Sequence, residues 1–265
     1  MRNDGQWEDP SMFRLQIGPN SLFLTEDSLV ISVLNPNDFD PNHMGDHHHY
    51  KEHLHYHVFS IKFKGASRLE WLGEQKHSAY LNYFVGHKKR WRSRVESFER
   101  LRAENVYPGI DLVVYESSGG FKFDWEVHSG ARASQIQLIY NGLLGVRVED
   151  RELHLKTSFG DLVEAMPFAY QSSREIKANY REKEELISYK IGRYKASETL
   201  IIDPIYIFST YSGSTSDNFG YTATFDDNGN AFGGGTSFGT GYPTSLGAVD
   251  TVFNGGAFDV AISKF

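Results

Sequence analysis

Apolar residues recur at every second position along most of this chain, and turn-forming residues interrupt the pattern every few residues. A period of two puts apolar side chains on one face of an extended strand, whereas a helix needs a period near 3.6. Phe13, Leu15 and Ile17 alternate, and Leu29, Ile31 and Val33 repeat the pattern after a turn at Glu26-Asp27. Phe59, Ile61 and Phe63 share a face, and further strands are expected over 110–115, 121–127 and 136–140. Ser117-Ser118-Gly119-Gly120 is a hairpin signal between the first two of those. The pattern continues through 146–148, 153–155 and 162–165, and strands are expected on either side of Glu182-Lys183-Glu184-Glu185. One segment, 87–102, leaves helix and strand both open, because Trp91, Val95, Phe98 and Leu101 fall three to four apart. The expected fold class is all-β: a large N-terminal antiparallel β domain of sandwich-like sheets.

Composition narrows the function classes. With 27 basic and 34 acidic residues the chain carries a net charge of −7, so a dedicated nucleic-acid binder, with its basic footprint, is not expected. No cysteine is present, which removes disulfides and thiolate metal sites while leaving the compartment open. No apolar run approaches the roughly 18–20 residues needed to cross a bilayer. The opening Met1-Arg2-Asn3-Asp4-Gly5-Gln6-Trp7 lacks the segments of a signal peptide. Composition therefore leaves two readings, a cytosolic protein and a mature or trimmed piece of an exported one.

After Pro204 the chain becomes rich in Gly, Ser, Thr and aromatics and poor in Lys and Arg, which places a domain boundary there: 1–204 and 205–265. In the second part Tyr206-Ile207-Phe208-Ser209-Thr210-Tyr211-Ser212-Gly213 leads to Asp217-Asn218-Phe219-Gly220-Tyr221 and then to Asp227-Asn228-Gly229-Asn230. Asp259-Val260-Ala261-Ile262-Ser263-Lys264-Phe265 completes it. This stretch resembles one unit of the bacterial SBBP-type β-propeller repeat. Upstream, Asn82-Tyr83-Phe84-Val85-Gly86, Val106-Tyr107-Pro108-Gly109-Ile110-Asp111, Phe123-Asp124-Trp125-Glu126-Val127 and Leu200-Ile201-Ile202-Asp203-Pro204 resemble the uncharacterised domain that precedes such repeats. Asn3-Asp4-Gly5-Gln6-Trp7 resembles that domain's start after signal removal. The resemblance implies a single propeller-type blade after the large domain, and a secreted or cell-surface protein of Bacteroidota type. It carries no catalytic residues across. Relatives of this type hold several repeats, where this sequence has one.

The candidate chemistry starts with histidine. His43, His47, His48, His49, His53, His55 and His57 cluster beside Asp46 and Glu52. An early-starting strand would project His53, His55 and His57 on one face, as ligands for zinc or another divalent metal. The competing reading is a solvated loop that binds metal adventitiously, with no cofactor. The basic run 88–102 suits phosphate or acidic glycans, but Glu96 and Glu99 are interleaved and a solvated face is the simpler reading. Asp124 and Glu126 share a strand face, and Asp111 and Asp203 adjoin proline-containing turns, so paired-carboxylate chemistry is weighed against turn and edge roles. Trp7, Trp71, Trp91 and Trp125 could build a sugar-stacking platform, although aromatics also fill β cores. Asp226-Asp227-Asn228-Gly229-Asn230 lacks the bidentate Glu of a calcium loop and reads as a hairpin turn.

The expectation is a non-catalytic module of a secreted or cell-surface protein, working in adhesion, assembly or display. The alternatives are a carbohydrate- or metal-binding module built on the histidine segment 43–57, and an unrecognised hydrolase. Expected partners are other domains or repeats of the same protein, and surface glycans or proteins. Nucleic acid and insertion into a membrane are not expected.

Overall fold

The computed structural model describes residues 1–17, 20–35, 38, 53–117, 120–203, 206–207, 218–225, 231–242 and 252–264. Among them there is no α-helix, and every pairing of strands given below is antiparallel. The chain divides into two units. The larger takes Met1–Val33, His57–Glu116 and Gly120–Phe208, and the smaller takes Leu34–Tyr56, Ser117–Gly119 and Ser209–Phe265.

Three sheets build the larger unit. The first joins β1 (Phe13–Ile17), β2 (Asn20–Leu24), β3 (Ser28–Leu34), β4 (Tyr56–Phe63), β9 (Gln137–Asn141), β16 (Leu186–Ile191) and β15 (Ala178–Lys183), in that order. The second runs β14 (Arg174–Ile176), β13 (Phe168–Gln171), β17 (Leu200–Asp203), β8 (Gly120–Val127), β7 (Ile110–Ser117), β6 (Arg92–Tyr107), β5 (Trp71–Tyr83). A smaller sheet holds β10 (Gly145–Glu149), β11 (Glu152–Thr157), β12 (Gly160–Glu164) and β18 (Tyr206–Ile207). Turn chemistry sets the registers. Glu149 pairs with Glu152 and Lys183 with Leu186, so Asp150-Arg151 and Glu184-Glu185 each form a two-residue turn with positive φ at both positions. That backbone twist matches the twist of the flanking strands.

The open segment 87–102 is extended: a 3-10 turn at Lys88–Arg90 and then the sixteen residues of β6. Its apolar residues stand three and four apart because the ribbon is irregular. Arg94 has a left-handed backbone (φ 59°), and the pairing with β5 shifts register between Lys76 and Tyr80 and again between Leu81 and Tyr83. Each such irregularity changes which face the following side chains take.

Alternate residues of both seven-stranded sheets feed one core. Phe59, Ile61 and Phe63 from β4 and Leu138 from β9 meet Leu112, Val114, Phe123, Trp125, Leu200 and Ile202 from the second sheet. Trp125 is fully buried, with Phe63 edge-on at 5.3 Å and Tyr107 tilted against it at 6.0 Å. Two polar ties cross the same interior: Trp71 Nε1 donates to the Thr25 carbonyl at 2.8 Å, and the Tyr107 hydroxyl donates to the Gln137 carbonyl at 3.2 Å. Each lets a large aromatic side chain be buried without stranding its polar end.

The smaller unit contains a three-stranded sheet of β19 (Asn218–Phe225), β20 (Ala231–Ser237) and β21 (Asp259–Lys264), in that order. No sheet among the described residues closes into a barrel or a propeller. The glycine run 233–235 lies within β20, where it pairs with both neighbouring strands.

One buried carboxyl stands out. Glu164, at the end of β12, is fully buried and accepts a hydrogen bond from the Tyr180 hydroxyl at 2.6 Å, while its Oε2 has no hydrogen-bond partner. Burial pushes its pKa up to about 7, against the opposing effect of the Tyr180 bond. A raised carboxyl pKa stabilises the fold while the group is protonated, and that stability is lost as pH rises through the folded value. Melting temperature should therefore fall between the ordinary Glu value of 4.5 and about 7. In Glu164→Gln that fall should be much reduced, which thermal melts across pH will show.

Candidate functional site

The face of the second sheet turned away from the core carries a connected set of ionisable groups. Strand alternation puts them there. On β8, Phe123, Trp125 and Val127 point inward and Lys122, Asp124 and Glu126 outward, with His128 next in phase. On β7 the inward Ile110, Leu112 and Val114 leave Asp111, Val113 and Tyr115 outward. β6 contributes Arg100 and Arg102, and β17 contributes Asp203.

Asp111 is positioned by its own hairpin. Gly109 (φ 73°) follows Pro108 in a turn that closes Tyr107 onto Ile110, and Asn105 adopts φ 49° at an irregularity in β6. Asn105 thereby aims its amide at Asp111 Oδ1, 2.8 Å away. Asp111 Oδ2 lies 2.9 Å from His128 Nε2 and 3.1 Å from Arg102 Nη1. Burial works against the Asp111 charge, but these three partners together hold its pKa below the ordinary value.

Arg102 is the hub. Its Nη1 and Nη2 reach the two oxygens of Glu126 at 2.7 and 3.2 Å, a fork-to-fork pair, and its Nε reaches Glu74 at 2.5 Å. Glu126 and Glu74 raise the arginine's own pKa further, against some loss from burial. Arg100 lies over the Tyr115 ring at 5.7 Å and within 3.6 Å of Glu126.

Next to this network sits a second one of opposite character. Lys122 Nζ lies 3.0 and 3.1 Å from the two oxygens of Asp203. Asp124 accepts from the Tyr115 hydroxyl, which lies 3.2 and 3.1 Å from its two oxygens. Burial, followed by the Asp203 charge, pushes the Asp124 pKa up to about 6. Burial and the same two aspartates also raise Tyr115 and Tyr170, so both phenols stay neutral. Tyr170 stacks against Phe168 at 5.6 Å on the neighbouring β13.

The four carboxylates singled out from the sequence, Asp111, Asp124, Glu126 and Asp203, thus come to one sheet face. The sequence reading missed Arg102, Glu74, Tyr115 and His128 as their partners. The signal was available in the alternation Lys122, Asp124, Glu126, His128. Among the described residues, Asp111, Glu126 and His128 offer three ligand atoms within 4.8 Å of one another. The set fits a metal poorly, because the Arg102 guanidinium already bonds both carboxylates and supplies the positive charge.

The histidines of the proposed metal set have different surroundings. His57 is nearly buried at the start of β4, where its Nδ1 accepts the Ser158 amide at 3.2 Å and lies 3.0 Å from the Ser158 hydroxyl. Those contacts occupy Nδ1, while Nε2 has no hydrogen-bond partner among the described residues. His53 is exposed, and His55 pairs with Asp38 through Nδ1 at 2.7 Å; both fall in the smaller unit, whereas His57 belongs to the larger. His43, His47, His48 and His49, and the 226–230 turn, lie outside the described residues. Of the four tryptophans, Trp71 and Trp125 are core residues and so unavailable for stacking on a sugar.

A family model described as a domain of unknown function, DUF7948, matches residues 1–205. This chain belongs to the DUF7948 family. No curated protein and no solved structure matches it. The DUF7948 match includes every residue of the outer-face network, from Glu74 to Asp203.

Asp124 provides the test of how this face is built. Replacing it with Asn removes a carboxylate that burial disfavours, so Asp124→Asn should melt higher than wild type above pH 6 and equally below pH 4. Equal melting at both extremes would contradict the burial described for Asp124.

Proposed function

We propose that this chain is a non-catalytic module of an exported, cell-surface bacterial protein, in which a DUF7948 domain carries a blade of the SBBP repeat type for attachment, assembly or display. The observation that carries the reading is the edge of the three-stranded sheet. β21 ends the strand order among the described residues, and its Val260 and Ile262, on one face, are 76% and 73% exposed. Ala261, between them, is buried. Phe258 is also exposed and lies tilted against the Phe238 ring at 6.0 Å. A strand with a free edge and an aliphatic face gains stability by pairing with a neighbour. Repeat units are built to be completed that way.

The outer face of the second sheet supports the non-catalytic side of the reading. Asp111 and Glu126 are held by Arg102 and by strand-neighbouring donors, and Asp203 is held by Lys122, so these three carboxylates are engaged in ion pairs on the sheet face. The partners this predicts are further repeats of the same protein, with surface glycans or proteins as the outward targets.

Sedimentation velocity over a concentration series tests the reading. Wild type should associate with rising concentration, and Val260→Lys with Ile262→Lys should weaken that association by about 100-fold or more, given roughly 1.5 kcal/mol for each aliphatic side chain returned to water. A wild type that stays monomeric at the highest concentration would sink the assembly role.

A further inference from the structure

The β5–β6 hairpin carries exposed side chains along most of β5, and its tip matches no role described so far. We propose that this tip, Phe84 to Trp91, docks the domain onto an anionic lipid surface. From His77 to Val95 the sequence holds no Asp or Glu, but it holds Lys88, Lys89, Arg90, Arg92 and Arg94. Interleaved with them are exposed apolar side chains: Leu81 at 44%, Phe84 at 55%, Val85 at 63% and Trp91 at 40%.

The tip is held in shape before any partner arrives. Trp91 Nε1 donates to the Gly86 carbonyl at 3.2 Å, Phe84 packs on Trp91 at 5.6 Å, and Arg92 Nη1 donates to the Lys89 and Trp91 carbonyls at 2.9 Å each. The N-terminal segment buttresses its base. Trp7 meets Tyr83 edge-on at 5.9 Å, Arg92 Nε donates to the Asp4 carbonyl at 2.5 Å, and Arg90 pairs with Glu8. Gly5 suits that buttress, because its φ of 93° is strained for any residue with a side chain. Arg90 and Arg92 are thus used in holding the tip. Lys88 and Arg94 lie over the rings of Trp91 and Tyr80, and Lys88, Lys89 and Arg94 make no ion pair among the described residues.

The charge and the apolar groups together select the partner. Lysine and arginine are drawn to anionic headgroups, and a tryptophan beside them suits the boundary between headgroups and acyl chains. Leu81 and Val85 distinguish a lipid from a sugar or a nucleic acid. Aliphatic side chains gain little from stacking on a base or a pyranose, but they gain fully on entering the acyl boundary. The contact is peripheral and needs no spanning segment.

The test is co-sedimentation with phosphatidylcholine vesicles made with and without phosphatidylglycerol. It is paired with quenching of tryptophan fluorescence by lipids brominated near the headgroup. Wild type should bind the phosphatidylglycerol vesicles, bind the neutral ones at least tenfold more weakly, and show quenching that Trp91→Phe removes. Lys88→Glu with Lys89→Glu, and separately Phe84→Ser with Val85→Ser, should each reduce binding tenfold or more. These side chains are exposed, and an unchanged melting temperature will confirm that the variants fold. No binding to phosphatidylglycerol vesicles would overturn the proposal, as would binding that the variants keep. Tight binding of a single-stranded oligonucleotide, lost in the lysine variant and without vesicle binding, would overturn it in favour of nucleic acid.

Discussion

The structure of the larger unit depends on one strand having both faces satisfied. β8 lies in the middle of the second sheet, between β17 and β7, so neither its faces nor its edges meet bulk water freely. Inward, Phe123, Trp125 and Val127 join the core shared by the two large sheets. Outward, Lys122, Asp124 and Glu126 face a region in which Asp111 is itself almost inaccessible to solvent. Charges in such a place must be paired, because burying an unpaired charge costs several kcal/mol. The arginines of β6, the lysine of β8 and the phenol of β7 provide the pairing.

That arrangement shows how an ionic face serves the fold, by pairing charges that would otherwise be buried alone. Perturbed titration often marks catalysis, but ion networks perturb it too. Here Asp111 titrates low and Asp124 high within one sheet face, and the difference follows from their partners. Asp111 has an amide, a histidine and an arginine, whereas Asp124 has a neutral phenol and a neighbouring aspartate.

Much of the fold was legible from alternation alone. The strands around Phe59, Leu112, Trp125 and Leu153 form where the two-residue period placed them, because one-face burial and strand geometry share that period. The 87–102 segment was ambiguous because left-handed Arg94 and the register shifts of β5 disturb the period, and no local rule locates such irregularities. At the site, the carboxylates were visible as candidates, since charged residues in otherwise apolar strands are conspicuous. Their partners were not, because Arg102, Asp111 and Glu126 are brought together by registers across three strands, β6, β7 and β8. The composition of the histidine tract left a metal site and a solvated loop both open, and of the three histidines singled out His57 follows the inward phase of β4 while His55 turns to Asp38.

The fork between Arg102 and Glu126 is a structural pair whose energy is realised in folding. A double-mutant cycle with Arg102→Met and Glu126→Gln, read by urea denaturation, measures it directly. A coupling of about 1–3 kcal/mol is the result the account predicts. Single-variant effects that add to within about 0.5 kcal/mol would contradict it, and the outer face would then be a loose surface with its charges free for another use.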